Sequence, residues 1–215
     1  MNARETIFAA IRAVQRDAAA PATIAAEAAA LSEAMKKTLP PQDPDRLALF
    51  TARASAEKVG ATVERIGSLA DYPAAVARYA QANGLPPSLA LQPDPRLQRL
   101  AWAPLDTSET LTPNTLLSVG FARGGIAETG TLIFHSGPES PILSSYLSLH
   151  HVVALDARAI VAQLEDYAAA EKFGAAPHNV NLITGASGTT DIEGVLARGA
   201  HGPRKLHIVI FDSVF

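Results

Sequence analysis

The sequence predicts an α/β fold: a mostly parallel sheet flanked by helices, with an N-terminal helical appendage. From Thr62 onward, short apolar runs bounded by turns alternate with helical patterns, which is typical of a parallel sheet. Before that point the pattern is helical and rich in alanine. The 215 residues are 48% hydrophobic and 18% charged, so the chain can bury a sizeable core. We therefore predict an appendage over residues 1–60 and one α/β domain over 61–215.

The appendage is predicted to contain two helices around a weakly anchored stretch. Apolar residues at helical spacing predict an amphipathic helix over 3–19. The alanine-rich segment 18–30 indicates a linker or a loosely docked helix, and a partner-docking arm is the alternative. Prolines then break the chain, and an aspartate cap predicts a helix over about 45–59.

Each predicted strand of the α/β domain is a short apolar run that ends at turn residues. The strands are Thr62–Ile66, Ser88–Leu91, Leu116–Phe121, Thr131–Phe134, His151–Leu155, Val180–Ile183 and Leu206–Phe211. Helical patterns fall between them, at Tyr72–Ala82, Pro93–Arg99 (a turn or short helix), 157–172 and about 190–198.

Composition excludes several classes of function. A net charge of −3 gives no basic face for nucleic acid. No apolar stretch is long enough for a signal peptide or a membrane span, so we expect a cytoplasmic protein. With no cysteine, the chain supplies no disulfide, thiolate zinc site or cysteine-ligated iron–sulfur cluster. No pair of histidines has the spacing of a metal helix, and we expect neither a metal nor a cofactor in this chain.

Residues 122–131 combine glycines, hydroxyls and a carboxylate beside predicted strands. Such a turn can hold a carboxylate or phosphate by its backbone N–H groups. The alternative is a tight hairpin whose hydroxyls bond its own backbone. The candidates here are Glu128, as an acid–base or orienting residue, and Thr129, Gly130 and Thr131, as ligand-binding residues.

Residues 184–193 follow a predicted strand and lead into the helix predicted from about 190. Open α/β sheets bind ligands at the carboxyl ends of strands, and a helix N-terminus attracts anions. An ordinary Ser/Thr/Asp helix cap is the alternative. The ligand-binding candidates are Gly185, Ser187, Gly188, Thr189, Thr190 and Asp191, with His201, before the last strand, facing the same cleft.

Three motifs in order, Ile126–Leu132, 184–193 and Gly199–Pro203, resemble the LUD-domain family. The resemblance covers roughly residues 60–215. It implies a fold similar to ribose-5-phosphate isomerase and the CoA transferases. It also implies a cytosolic bacterial subunit that acts with two iron–sulfur partner proteins in oxidising L-lactate to pyruvate. The clusters would then lie in the partners.

The second motif departs from the family pattern at two positions. Ala186 stands where the family usually has Pro, and Gly188 stands where it usually has Arg. An arginine is a bidentate carboxylate donor, so direct lactate binding at this turn requires that Arg123, Arg198 or Arg204 takes its place.

The sequence favours a cysteine-free subunit that binds a small carboxylate or phosphate between the turns 122–131 and 184–193. Two alternatives remain open. One is a free-standing enzyme of the CoA-transferase or sugar-phosphate isomerase type, in which Glu128 is the nucleophile or general base. The other is a scaffold module whose glycine turns are only architectural.

Overall fold

The computed structural model describes residues 2–14, 20–36, 43–171, 177–190 and 196–213. It divides into two compact units, Met1–Pro41 and Gln42–Phe215. The first unit holds α1 (Ala3–Val14) and α2 (Pro21–Lys36), so the N-terminal appendage is helical as predicted. The division falls after residue 41, whereas the predicted boundary is at 60. Residues 15–19, the end of the first predicted helix, lie outside the described part of the chain.

The second unit contains the sheets. It begins with α3 (Arg46–Ala54), and its further helices are α4 (Tyr72–Ala82), α5 (Pro95–Gln98) and α6 (Leu164–Ala170). Its described strands are β1 (Ala61–Ser68), β2 (Ser88–Leu91), β3 (Asp106–Ser108), β4 (Leu117–Phe121), β5 (Gly124–Ile126), β6 (Thr131–His135), β7 (His150–Asp156), β8 (Ile160–Val161), β9 (Val180–Ile183), β10 (Gly188–Thr190), β11 (Leu196–Arg198) and β12 (Lys205–Ser213). None of the described helices combines the length and apolar character that a membrane crossing demands.

A six-stranded sheet in the order β1-β12-β7-β4-β2-β3 is parallel throughout, as the sequence predicts. A second sheet, in the order β8-β5-β6-β9, is mixed: β6 runs antiparallel to β5 and β9, and β8 runs parallel to β5. Among the described strands, β10 and β11 pair only with each other, and they run antiparallel. The predicted α/β class with flanking helices is therefore confirmed.

Both faces of the central strands are buried, which explains why these strands are continuous apolar runs. Along β7, Val152 and Ala154 pack on one face with α4, and Val153 and Leu155 pack on the other. β12 alternates in the same way. On the second face the core contains Phe50 of α3 together with residues of the mixed sheet. The six-stranded sheet thus lies between α4 on one side and α3 with the mixed sheet on the other.

The helix predicted over about 190–198 is wrong. Thr189 pairs with Ala197 and Gly188 pairs with Arg198 in the β10–β11 hairpin. The β-branched threonines favour a strand, and glycine weakens a helix, so the Ser/Thr/Asp pattern does not mark a helix cap here. The long helix over 157–172 is also wrong, since a 3-10 turn and β8 precede the short α6.

Two glycine turns lie against the end of α3 and the chain that follows it. Gly130 (φ +68°) faces Ala54, whose Cα would lie 2.8 Å from a Cβ at Gly130. Gly185 (φ +79°) faces Val59, whose carbonyl carbon would lie 2.7 Å from a Cβ there. The Ala186 N–H donates to the Val59 carbonyl (3.1 Å). Only glycine fits both the positive φ and the close backbone approach at these two positions.

Gly130→Ala should therefore lower the free energy of unfolding by more than about 1 kcal/mol, because positive φ and a backbone clash add together. Urea unfolding checks this. Gly67→Ala is the matched control, since a Cβ at Gly67 meets nothing within 4 Å. Equal unfolding curves for the two variants would contradict the close approach.

Candidate functional site

The two predicted turns meet through a chain of hydroxyl groups. Thr129 Oγ1 lies 2.7 Å from Thr131 Oγ1, which lies 2.6 Å from Thr184 Oγ1. Gly130 and Gly185 flank these hydroxyls, but Gly130 faces the end of α3 and Gly185 faces Val59 in the segment after it. The structure thus brings together Thr131 and Thr184, which are 53 positions apart, and their hydroxyls form hydrogen bonds with each other.

The Glu128 carboxylate is directed at α6. Its Oε1 accepts a hydrogen bond from the N–H of Leu164, the first residue of that helix (3.1 Å). The backbone N–H of Glu128 donates to the Ala162 carbonyl (3.1 Å). A carboxylate at this position satisfies an otherwise unpaired helix N–H, so the local geometry supplies a structural reason for Glu128.

The second turn is bonded to the last predicted motif. The Ser187 N–H donates to the Pro203 carbonyl (2.9 Å), and Ser187 Oγ accepts from the His201 N–H (3.2 Å). Gly188 and Thr189 are exposed in β10, where Thr190 also lies. Asp191 lies outside the described residues. Because β10 is a strand, the helix dipole expected at this turn is missing.

A cleft of about 390 Å³ opens at the carboxyl end of the parallel sheet, and the described part of its lining includes neither Glu128 nor Ser187. We call it the carboxyl-edge cleft. Gln92 follows β2, Phe121 ends β4, and the loop 135–140 follows β6. The carboxyl edge of a parallel sheet is the usual ligand site of open α/β folds. The described residues of its lining are Gln92, Asp94, Arg96, Phe121, Arg123, Phe134, His135, Ser136, Gly137, Pro138, Glu139 and Ser140.

Buried polar side chains build the wall of this cleft. Gln92 is 4% exposed; its Oε1 accepts from the Phe121 N–H (3.0 Å), and its Nε2 donates to the Glu139 carbonyl (2.9 Å). Gln92 therefore ties the ends of β2 and β4 to the loop 135–140. Polar groups that are fixed in this way give a pocket a defined shape.

Two arginines face the cleft, and each is held by a carboxylate. Arg96 Nε donates to Asp94 (2.9 Å), which is 3% exposed, and the Arg96 guanidinium lies 3.6 Å above the ring of Phe121. Arg123 Nε donates to Glu171 (2.7 Å). A guanidinium has five N–H donors, so each arginine keeps donors for a further anion while the carboxylate fixes its orientation.

His135 supplies an imidazole to the same cleft. Its Nε2 shares a hydrogen bond with the Tyr167 hydroxyl, and the two rings meet edge to face. Burial and the nearby Arg123 charge lower the pKa of His135, which keeps the imidazole neutral at pH 7. A neutral imidazole can accept a hydrogen bond from a ligand hydroxyl.

Behind Phe134 lies a second, buried histidine. His151 is 1% exposed, and neither ring nitrogen has a hydrogen bond within the described ranges. A Cβ at Gly120 would lie 2.9 Å from both His151 Nε2 and Gln92 Oε1, so Gly120 makes room for both side chains. Burial lowers the pKa of His151 to about 4.

Sequence reasoning missed most of this cleft and named Arg123 only as a substitute cation. One feature of the sequence does point to the cleft: Gln92, Asp94 and Arg96 come directly after a predicted strand of the parallel sheet, where ligands usually bind. Within the described residues, no three His, Asp or Glu side chains converge as metal ligands.

Comparison with known proteins identifies the class. The LUD domain family model matches residues 113–211, a stretch that contains all three sequence motifs. A crystal structure of a DUF162 family protein from Deinococcus radiodurans matches 80% of this chain and 99% of its own, with a TM-score of 0.54 and 19% identity, which shows a shared fold. The resemblance to the LUD-domain family is therefore confirmed, and the match lies over residues 113–211.

Within this class the chain is similar to lactate utilization protein C. The protein of that name from Geobacillus kaustophilus is 31% identical over 119 residues, which are 52% of this chain and 50% of the relative. The one from Geobacillus thermodenitrificans is 30% identical over 45% of this chain and 42% of the relative. An uncharacterised protein of Neisseria meningitidis serogroup B is 40% identical over 44% of this chain and 42% of the relative. The chain thus spans half the length, or less, of the curated relatives it matches.

Burial of His151 should make folding stability depend on pH. The unfolded chain protonates this imidazole at its ordinary pKa of 6.5, and the folded chain only near 4. Stability is therefore complete above pH 6.5 and falls as the pH drops toward 4. Between pH 7.5 and 5 the loss of unfolding free energy should be about 2 kcal/mol smaller in His151→Leu than in the wild type.

Chemical denaturation at the two pH values measures this difference. His178→Leu, which changes an exposed histidine, is the control and should keep the wild-type loss. An equal loss in His151→Leu and the wild type would show that this imidazole does not couple to folding.

Proposed function

We propose that this chain takes part in lactate utilisation, as a cysteine-free subunit that binds a small carboxylate in the carboxyl-edge cleft. The assignment to lactate utilisation is supported by the similarity to three proteins named lactate utilization protein C, at 30–32% identity. The cleft supports the ligand class, because it combines two oriented guanidinium groups with a histidine and serine hydroxyls.

L-Lactate has two groups that a site must recognise, a carboxylate and a hydroxyl on the next carbon. The spare N–H donors of Arg123 and Arg96 suit the carboxylate. A neutral His135 suits the hydroxyl, since it can accept the hydroxyl hydrogen. Asp94 and Glu171 hold the two arginines before any ligand arrives, which lowers the entropic cost of binding.

Oxidation of L-lactate to pyruvate removes two electrons, and this chain has no cysteine to hold an iron–sulfur cluster. In the proposed system the electrons pass to iron–sulfur partner proteins, and this subunit contributes to substrate binding. The proposed ligand site differs from the one that the sequence predicts, since the ligand lies against Arg123 and not between the two glycine turns.

L-Lactate and pyruvate should bind to the isolated chain in isothermal titration calorimetry, and Arg123→Ala should weaken binding about tenfold, the effect of losing one charge-assisted hydrogen bond. The affinity of Arg123→Lys should lie between those of the wild type and Arg123→Ala, because lysine keeps the positive charge but cannot bind a carboxylate in a bidentate way. Arg158→Ala is the matched control: Arg158 is also an exposed arginine paired with a carboxylate, Asp156. Equal affinity in Arg123→Ala and Arg158→Ala would overturn the site.

Purification of the native complex tests the pathway separately from the site. A tagged copy of the chain, expressed in its own organism, should retain brown iron–sulfur proteins, and the colour should remain with the partners after dissociation. The separated chain should be colourless. A visible charge-transfer band in the separated chain, or no iron–sulfur protein in the complex, would contradict the proposed subunit role.

A further inference from the structure

A second cleft, of about 450 Å³, opens at the opposite end of the parallel sheet. We call it the amino-edge cleft. It lies where β1 and β12 begin, beside the last turn of α4. Tyr79 of α4 and Asn83, which caps that helix, line one side, and Thr62 of β1 and Gly60, which precedes it, line the other. Its remaining lining residues are Arg198, Arg204, Lys205, Leu206 and His207.

The charges of this cleft are all of one sign. Arg198, Arg204 and Lys205 bring three cations together, and no carboxylate is among its described lining residues. Within the described ranges Lys205 donates to the Asn83 amide oxygen (2.8 Å), Arg198 donates to the Glu57 carbonyl (3.0 Å), and Arg204 has no ion pair. The amino-edge cleft therefore differs from the carboxyl-edge cleft, in which each arginine is already paired with a carboxylate.

The backbone is shaped to place one of these cations. Gly60 has φ +71°, which favours glycine, and the Arg198 guanidinium lies over it: a Cβ there would lie 2.7 Å from Arg198 Cζ and would displace the guanidinium. The C-terminal end of α4 would repel an anion, but the Asn83 Nδ2 group donates to the Tyr79 carbonyl (2.9 Å). Asn83 thus covers a carbonyl that would otherwise face the cleft.

An aromatic and imidazole cluster forms the wall beside the cations. Tyr79 stacks on His207, with ring centroids 4.6 Å apart. The Tyr79 hydroxyl bonds His150 Nδ1 (2.9 Å), and Thr62 Oγ1 bonds His207 Nδ1 (2.7 Å). These contacts make the wall rigid. Burial, followed by the charges of Lys205 and Arg204, lowers the pKa of His150, so these two cations act on its imidazole. On the other side of the cluster, His207 Nε2 lies 3.5 Å from the Glu64 carboxylate.

We propose that the amino-edge cleft is a binding site for a phosphate group, carried by a free phosphate or by a phosphate ester. A phosphate dianion has three acceptor oxygens and more charge than one carboxylate, which matches three converging cations. The ring of Tyr79, which stacks on His207, offers an apolar surface to the organic part of an ester. The site is separate from the carboxylate site under "Proposed function", and either can fail without the other.

Isothermal titration calorimetry with inorganic phosphate and with phenyl phosphate tests this site. Both anions should bind the wild type, Arg204→Ala should bind them about tenfold more weakly, and adding Lys205→Ala should weaken binding further. Arg99→Ala, which removes an exposed arginine outside the cleft, is the matched control and should bind as the wild type does. Tighter binding of phenyl phosphate identifies an ester as the preferred form; equal binding identifies free phosphate.

The imidazole signal of His150 gives a second measurement on the unmodified chain. Bound phosphate offsets the charge of Arg204 and Lys205, so the pKa of His150 in an NMR titration should rise when phosphate is added. Chloride at equal ionic strength should leave it unchanged. Undetectable binding of both probes, equal affinity in Arg204→Ala and Arg99→Ala, or a His150 pKa that phosphate does not move would each overturn the proposal.

Discussion

Burial of β7 and β12 on both faces is the constraint on which the positions of the two clefts depend. Val153 and Leu155 of β7 pack toward α3 and the mixed sheet, while Val152 and Ala154 pack toward α4. Because both faces are covered, the parallel sheet is open to ligands only where its strands begin and end. The carboxyl-edge cleft and the amino-edge cleft lie at these two ends. A ligand at one end meets loops, helix ends and charged side chains, and does not disturb the core.

The end of α3 and the segment after it hold the mixed sheet against this core. Gly130 approaches the backbone of Ala54, and Gly185 approaches the backbone of Val59. The glycine motifs that define the family resemblance are therefore explained by close packing of two chain segments, supplemented by the Thr131–Thr184 hydroxyl pair. This geometry favours the architectural interpretation of the two turns. It also explains why their hydroxyls and their Glu128 carboxylate already have partners within the chain.

The sequence predicts the parallel sheet well but does not predict the carboxyl-edge cleft, and both outcomes have physical reasons. The central strands of the parallel sheet are continuous apolar runs because both sheet faces are buried, and Ser88–Leu91 is predicted at its observed bounds. Val180–Ile183, a half-exposed strand of the mixed sheet, is also predicted at its observed bounds. The short strands β5, β8 and β10 have too few apolar residues to give a periodic signal. The sequence prediction of a site rests on two short segments, 122–131 and 184–193, whose residues are neighbours along the chain. The carboxyl-edge cleft instead joins Arg96, Arg123 and His135, and only the order of the strands brings them together.

The two clefts differ in whether their cationic side chains are paired with carboxylates, and this difference determines which ligands suit each cleft. At the carboxyl edge, Arg96 and Arg123 are each neutralised by a carboxylate, so the cleft orients donors without a large net positive field. Such a site suits a small ligand with one negative charge, whose binding depends on donor geometry. At the amino edge, three cations share one cleft without a carboxylate among the described lining residues. That field favours a ligand with more than one negative charge, and the favourable energy of binding it comes from relieving repulsion among Arg198, Arg204 and Lys205.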